Sequence, residues 1–344
     1  TMTDLSQAYS AAIREAAATG TPLYINGGGS KRHMLGRDCE GTALDVAAHR
    51  GVFDYQPDEL VRTARAGTPI AELNALLAEQ QQCLPFDPPL CGGRATLGGT
   101  VASNLSGPGR PWLGSARDAT LGVTLITGRG QQLQFGGKVV KNVAGYDVSR
   151  LQAGALGTLG LITEVSLKVL PVPEQSLTLR YELDARTALA VMLERAREPR
   201  PLSAACWTAG HLYLRLSGAS SAIQQTAARW GGERCDEAMT PWRALRERTL
   251  PFFSGDAPLW RHTPLPNEPL LPCKAQLIDW GGAQRWIREE PPVDSSALTL
   301  FAGGDRSSEV RGAVTPVQLR LQRRLKSVFD PAGILNPGRL YSWM

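Results

Sequence analysis

The chain has 344 residues, 42% of them apolar, which is enough to bury a full hydrophobic core in one large domain or two smaller ones. Its 37 lysines and arginines against 32 acids give a formal charge of +5 without a basic arm, which argues against nucleic-acid binding. No stretch reaches the roughly 18 apolar residues of a membrane span and the first ten residues lack a signal-peptide core, so we expect a cytoplasmic protein.

The six cysteines are isolated from one another and from the histidines. They form no CxxC pair, and none lies at metal-ligand spacing from a histidine. We therefore expect no metal site and no iron-sulfur cluster held by this chain alone, and we expect free thiols in a reducing compartment.

The first half of the chain alternates predicted helices and strands with glycine-rich loops. Apolar residues from Leu5 to Ala16 recur at helical spacing and stop at Gly20, and residues 22–25 then predict a short strand. Thr68-Pro69 is a helix-start signal for a second helix.

Strand patterns follow. Residues 121–127 and 131–135 flank a Gly-Arg-Gly turn and predict a hairpin, and the alternation over 161–170 predicts a half-buried strand. Pro171 and Pro173 mark a boundary after that strand.

Beyond this boundary the composition shifts towards tryptophan and proline, which indicates a second domain over 174–305. We predict strands at 178–182, 211–216 and 298–301 and helices at 185–197 and 222–230. A last helix begins at Thr315-Pro316, and we expect four apolar residues on it to face inward: Val317, Leu321, Leu325 and Val328.

Three glycine-rich clusters carry the functional signal, at 26–31, 92–100 and 154–160. Consecutive glycines allow positive φ and remove Cβ atoms, so backbone N–H groups can converge on a phosphate or lie against a flat ring. One such cluster is most simply a turn, but three together indicate a cradle for an extended ligand.

The clusters do not fit the common nucleotide motifs. Residues 157–160 run into a strand where a Rossmann fingerprint needs a helix, and Gly137-Lys138 is followed by Val139 where a Walker loop needs Ser or Thr. With these motifs excluded, the separated loops favour a ligand that has a pyrophosphate and a large planar ring. Among such ligands FAD fits best. The predicted cofactor-binding residues are Asn26, Gly27, Gly28, Gly29, Ser30, Lys31, Ala95, Thr96, Gly98, Gly99, Ser103, Gly157, Gly160, Leu161, Ile162 and Asn336.

Several segments also resemble a known family. The segments 98–104, 141–147 and 157–164 resemble the PCMH-type FAD-binding domain of the vanillyl-alcohol-oxidase superfamily, and 330–339 resembles its closing segment. More narrowly, the chain resembles the family of FAD-binding E subunits of bacterial glycolate oxidases, at residues 107–112, 135–138, 250–253 and 278–283.

The resemblance implies an α+β fold. It consists of a PCMH-type FAD-binding domain of two α+β subdomains (1–173), an α+β cap domain (174–305) and a C-terminal helix and segment that return to the flavin domain (306–344). It implies noncovalent FAD, because Ser30-Lys31 stand where some relatives carry a tethering histidine. It also implies that the amide of Asn336 reaches the edge of the isoalloxazine ring.

By the same resemblance the chain is a subunit of a glycolate oxidase complex that oxidises glycolate, a small 2-hydroxy acid, to glyoxylate. Its partners would be a larger flavin subunit and an iron-sulfur subunit, and any membrane association would run through them. Two alternatives stay open: a self-sufficient 2-hydroxy-acid dehydrogenase, and a scaffold that has lost FAD.

The catalytic residues are unknown from the sequence. Related dehydrogenases carry an HxGDGNxH-type motif in the cap that this chain lacks, and its four histidines are scattered. Lys141 and Tyr146 are weak candidates for lining the flavin, and Asp147 is as well explained as a helix cap. The aromatic residues of 251–286 are expected to form a docking surface.

Overall fold

A computed structural model describes residues 4–56, 59–137, 147–293 and 295–344. Lys141 and Tyr146 lie outside these residues. The first half contains the helices α1 (Ser6–Thr19), α2 (Ile70–Ala78), α3 (Leu97–Ser103), α4 (Arg110–Leu113), α5 (Ala116–Ala119) and α6 (Val148–Leu151). Its strands are β1 (Leu23–Asn26), β2 (Thr42–Asp45), β3 (Val52–Gln56), β4 (Val61–Arg65), β5 (Gln82–Cys83), β6 (Thr120–Ile126), β7 (Gln132–Gly136), β8 (Leu161–Lys168) and β9 (Leu170–Pro171).

Besides the short pair β5–β9, two sheets organise this half. The parallel pair β1–β2 lies beside α1, whose residues Tyr9 and Ile13 pack against Leu23 and Leu44. The other sheet has five antiparallel strands in the order β3-β4-β8-β6-β7, and β6–β7 is the predicted hairpin. β8 is the central strand of this sheet, and it is almost continuously buried instead of half-buried as the alternation over 161–170 predicts.

The second half supplies α7 (Ala185–Ala196), α8 (Ser220–Trp230), α9 (Trp242–Glu247) and α10 (Pro316–Phe329), with β10 (Gln175–Glu182), β11 (Leu202–Thr208), β12 (His211–Gly218), β13 (Glu233–Cys235), β14 (Leu259–His262), β15 (Gln276–Asp279), β16 (Gln284–Ile287) and β17 (Leu298–Ala302). All eight strands form one antiparallel sheet in the order β13-β10-β12-β11-β15-β16-β14-β17. The helices α7 and α8 pack on one side of it through Met192 and Ile223.

This sheet also contacts the first half directly. Leu35 and Leu105, which follow the first two glycine clusters, share a buried apolar cluster with Leu277, Trp286 and Phe301 of the sheet. The contact places the sheet next to the glycine-rich loops. The mixed α and β architecture agrees with the predicted α+β class.

Two expectations about surfaces were wrong. On α10, Val317, Leu321 and Val328 are 55%, 57% and 60% exposed, because the helix instead turns Lys326 and Phe329 inward. In the proposed aromatic docking surface, Trp280 and Trp286 are buried in the sheet. No helix among the described residues has the length and apolarity needed to cross a membrane. All six cysteines are free, as expected.

Candidate functional site

The first glycine cluster forms a loop at the carboxyl end of β1 and packs directly on the second cluster. A Cβ on Gly28 would lie 1.7 Å from the carbonyl oxygen of Arg94, and one on Gly27 would lie 2.7 Å from Thr96 Oγ1. Side chains at these two positions would separate the two loops. The glycines are therefore required by the close approach of backbone to backbone.

The second cluster leads into the short helix α3. Thr96 caps the helix by accepting a hydrogen bond from the backbone N–H of Gly99, at 3.3 Å. Gly98 lies against Ala66, since an added Cβ would be 2.6 Å from the Ala66 Cβ. The helix thus begins beside the first loop, with its glycine-lined face turned to the same space.

The third cluster turns into β8. Gly157 has φ +74°, and an added Cβ would be 2.7 Å from Asn336 Nδ2. Leu161 and Ile162 open the central strand directly after this turn. The third loop is therefore fixed between the five-stranded sheet and the closing segment of the chain.

Asn336 joins two of the loops through its amide. Its Oδ1 accepts from the Ile25 N–H at 2.7 Å, and its Nδ2 donates to the Leu156 carbonyl at 2.7 Å. The amide therefore holds these segments together, and its reach to the edge of a ring stays a prediction. Asn tolerates the φ of +43° that this arrangement needs better than most residues.

Arg339 holds the chain that leaves the first loop. The guanidinium donates to the carbonyls of Lys31 and Met34, at 2.9 and 3.1 Å, and the residue is 4% exposed. Burial lowers the pKa of Arg339 from its ordinary value. The sequence analysis did not single out Arg339, although it lies within the closing motif 330–339.

Together the three loops and the closing segment enclose one cavity with about 850 Å³ of empty space, part of it open to solvent. Fifteen of the sixteen predicted residues line it. Ala95 does not; it is buried in the core, where its carbonyl accepts from the Ile70 N–H at 2.8 Å. Residues that the sequence analysis missed also line it: Tyr24, Ile25, Arg32, Val46, Ala66, Ala102, Gln152, Leu156 and Arg339.

The cavity is positively charged. Lys31, Arg32 and Arg339 line it, and no acidic residue does among those described. Burial, together with the nearby Arg248, lowers the pKa of Lys31, although the neighbouring Cys91 acts in the opposite direction. Such a site suits a ligand that carries negative charge.

Gln152 adds an unused donor. The residue is 1% exposed and lines the cavity, and its Nε2 has no hydrogen-bond partner within the described chain. A buried amide without a partner costs about 1–3 kcal/mol, so a polar ligand in the cavity would relieve it. The glycine cradle, the cations and this donor all fit a pyrophosphate-containing flavin.

His33 and Asp147 take no part in this cavity. His33 is exposed and does not line it. Asp147 caps α6, where its side chain accepts from the Arg150 N–H at 3.1 Å. Among the described residues no group of three or more His, Cys, Asp or Glu could hold a metal ion.

Comparison with known proteins agrees with a flavin site. Residues 6–136 match the FAD binding domain family, and residues 302–340 match the C-terminal domain of FAD linked oxidases. The solved structure of an alkyldihydroxyacetonephosphate synthase covers 95% of this chain and 73% of its own, with a TM-score of 0.65 and 14% identity. At that identity the likeness shows the fold alone.

Similarity to individual proteins identifies the family more closely. The chain is 43% identical to glycolate oxidase subunit GlcE of Escherichia coli (strain K12) over 98% of both proteins. It is 32% identical to glycolate oxidase subunit GlcD of Bacillus subtilis (strain 168), over 44% of this chain and 33% of that protein. A D-lactate dehydrogenase of Archaeoglobus fulgidus is 23% identical over 97% of this chain and 89% of its own. With its FAD-binding domain, the chain belongs to the glycolate oxidase subunit GlcE family of FAD-linked oxidases.

Proposed function

We propose that this chain is the FAD-binding subunit of a glycolate oxidase complex and takes part in the oxidation of glycolate to glyoxylate. The observation that carries the proposal is the cavity, where three separate glycine loops and the closing segment meet around one positively charged space. The full-length similarity to a GlcE subunit supplies the substrate class.

In this proposal the loops hold FAD without a covalent bond. The backbone of 26–30 and the charges of Lys31, Arg32 and Arg339 would face the pyrophosphate, and Gln152 would donate to a polar group of the cofactor. The bare backbone of Gly98 and Gly99 would lie against a planar ring. His33, the nearest histidine in sequence to the first loop, is exposed and does not line the cavity, so it would not tether the flavin.

Bound FAD would supply a two-electron acceptor for the C–H bond next to the hydroxyl of a 2-hydroxy acid. The chain's own contribution is to orient the cofactor and exclude water from one of its faces. Asn336 and Lys326 support this by fixing the closing segment against the first and third loops.

The partner subunits are part of the proposal. The exposed apolar residues of α10 lie among three exposed arginines and no acid over 316–329, so this face suits an apolar, acidic surface of another subunit. A larger flavin subunit and an iron-sulfur subunit remain the proposed partners. The domain division at 173 and 305 and a reducing, cytoplasmic location, which the six free thiols favour, belong to the same proposal.

The test compares two substitutions at Gly99, which is helical and lines the cavity. A Cβ there meets Thr96 Oγ1 at 3.0 Å and Lys31 Nζ at 3.9 Å, so Gly99→Ala fits with a small adjustment. The extra methyl groups of Gly99→Val extend into the cofactor space. Overpacking of this kind costs about 1–3 kcal/mol, or about 5- to 150-fold in affinity.

We expect purified wild type to show a flavin spectrum, and acid precipitation to release the flavin into the supernatant. Gly99→Ala should retain FAD and Gly99→Val should lose it while keeping its far-UV circular dichroism. Colourless protein that takes up no FAD on titration would establish the scaffold alternative. Bleaching of the flavin by glycolate under anaerobic conditions, with no partner present, would favour the self-sufficient dehydrogenase.

A further inference from the structure

A second, smaller cavity lies in the cap sheet and shares no lining residue with the flavin cavity. It has about 330 Å³ of empty space, part of it open to solvent, and is bounded by residues 105–108, by α9 and its end, and by β14, β15 and β16. Three arginines line it, Arg246, Arg248 and Arg261, together with one acid, Asp279. The function proposed above does not use these residues.

Arg261 is a cation without a counter-ion among the described residues. It lies on β14, and its Nε is buried with no hydrogen-bond partner in the described part of the chain. The charged groups that act on it are Arg311, Arg110 and Arg248, all positive, and with burial they lower the pKa of Arg261 to about 9. Its guanidinium lies 5.7 Å from the centre of the Phe301 ring. Because an uncompensated cation of this kind is costly, the site lacks an anion.

Arg248 also lies near the Phe301 ring. Its guanidinium is 5.1 Å from the ring centroid, and its Nη2 donates to the sulfur atoms of Met34 and Cys91, each at 3.9 Å. Glu247, the acid next to it in sequence, is already occupied by the backbone N–H groups of Leu90 and Cys91. Arg248 is therefore not neutralised by a dedicated carboxylate.

Two other arginines of this region have several partners within the chain. Arg246 binds Asp87 at 2.7 Å and Glu247 at 2.9 Å. Arg285 is 1% exposed and donates to four backbone carbonyls. The fold thus gives Arg246 and Arg285 acceptors of its own, whereas the buried Nε of Arg261 has none among the described residues and Arg248 has only two weak sulfur acceptors.

Asp279 is the one acid in the cavity. It is 3% exposed, accepts from the Trp280 N–H and from Gln284 Nε2, and forms no ion pair with an arginine among the described residues. Burial raises the pKa of Asp279 to about 7, although the two hydrogen bonds and the nearby charge of Arg215 lower it. The cavity therefore contains unpaired cations and a separate carboxyl group that can hold a proton near neutral pH.

Three of the segments that resemble glycolate oxidase E subunits meet around this cavity: 107–112, 250–253 and 278–283. Trp280 Nε1 donates to the Gly107 carbonyl at 3.0 Å, and the Arg110 guanidinium lies 4.6 Å from the centre of a Trp280 ring. Phe253, from the second of these segments, packs 5.5 Å from Trp286. Trp280 has φ +52°, a conformation that is unusual for a bulky residue and is held here by these contacts.

We propose that this cavity binds a small carboxylate, held by the guanidinium groups of Arg261 and Arg248, with Asp279 facing a hydroxyl group of the same ligand. The choice of glycolate as the natural ligand rests on the proposed function, whereas the anion site itself rests on the unpaired arginines. Arg248 connects the two regions, since it acts electrostatically on Lys31 of the flavin cavity.

The experiment is a calorimetric titration of the FAD-loaded protein under anaerobic conditions with glycolate, acetate and inorganic phosphate. We expect saturable binding of glycolate, weaker binding of acetate and no saturation with phosphate. Loss of a charge-assisted hydrogen bond in Arg261→Gln should weaken glycolate binding about 10- to 100-fold. Arg180→Gln, which removes an exposed charge paired with Glu233 in the same sheet, should leave glycolate binding unchanged.

A second variant separates binding from folding. If Arg261→Gln fails to fold, Arg261→Lys keeps the charge but loses the planar fork, and it should bind glycolate with intermediate affinity. Asp279→Asn should bind acetate at least as well as wild type but lose the preference for glycolate over acetate.

Absence of saturable glycolate binding by FAD-loaded wild type, phosphate binding tighter than glycolate, or unchanged affinity in folded Arg261→Gln would each overturn the anion site. Glycolate binding by a chain that takes up no FAD would support the site and overturn the proposed function instead.

Discussion

Replacing Lys326 with methionine should destabilise the chain at the point where α10 meets the closing segment. Lys326 Nζ donates to Asp330 Oδ2 at 2.7 Å and to the carbonyls of Thr158 and Leu335 at 2.8 and 3.1 Å. Asp330 is 1% exposed and accepts from the N–H groups of Ile334 and Leu335 as well. One buried cation therefore ties the third glycine cluster to the segment that carries Asn336.

The magnitude follows from what Lys326→Met leaves behind. Removing one partner of a buried ion pair costs about 3–5 kcal/mol, because the remaining charge is uncompensated. Methionine fills the space of the lysine stem, and Asp330 keeps two backbone donors, so we expect the lower end, about 3 kcal/mol. Arg324→Met is the matched control, since Arg324 is exposed on the same helix and its loss should change stability by less than about 0.5 kcal/mol.

The assay is urea unfolding of the FAD-free proteins followed by circular dichroism, because bound FAD would add its own stabilisation. The double variant Lys326→Met/Asp330→Leu removes both charges and should be less destabilised than the sum of the single variants by at least about 1 kcal/mol. A Lys326→Met midpoint equal to that of Arg324→Met, or additive single effects, would refute the assigned coupling.

Three further predictions follow from single contacts. Asn336→Ala loses both amide hydrogen bonds and places alanine at φ +43°, so FAD should bind at least about tenfold more weakly in a fluorescence titration; wild-type affinity would contradict this. Because the pKa of Asp279 is raised to about 7, the protonated carboxyl stabilises the fold below about pH 4 and this contribution is lost as pH rises to 7. The Asp279→Asn variant should not lose this stability as pH rises. Melting temperatures of wild type and variant that change in parallel from pH 4 to 8 would contradict the prediction. Leu321→Glu with Val328→Glu should leave the isolated chain's melting temperature unchanged but reduce its co-purification with the larger flavin subunit; undiminished co-purification would rule out this face of α10.

Local chain chemistry explains why much of the fold could be predicted. The stop of α1 at Gly20 and the cap of α10 at Thr315 depend on residues within a few positions of each end. The hairpin β6–β7 likewise depends on a short turn. The cavity could be anticipated because glycines reveal where backbone must approach backbone, as Gly28 does against Arg94.

The direction of α10 could not be predicted in the same way. Apolar residues at helical spacing predict a stripe but not what covers it, and Val317, Leu321 and Val328 are exposed. The helix is instead anchored by a charge, because the buried Asp330 and two carbonyls give Lys326 more stabilisation than solvent would. A lysine in an amphipathic pattern is normally assigned to the surface. Which face of α10 points inward can therefore be predicted only when the segments that contact Lys326 are known.

The dependence of buried polar groups on their partners also explains why catalytic residues could not be predicted from the sequence. Arginines are common in this chain, and nothing in the order of residues distinguishes Arg285, with four carbonyl partners, from Arg261, whose buried Nε has none within the described residues. A buried polar group needs a partner, so the position that the chain itself leaves unpaired is where an external ligand gains most. Gln152 in the flavin cavity and Arg261 in the cap are two such positions that line a cavity, and they need different ligands because one is a neutral amide and the other a cation. That difference favours two binding events, a flavin and a small carboxylate, over a single ligand that spans both cavities.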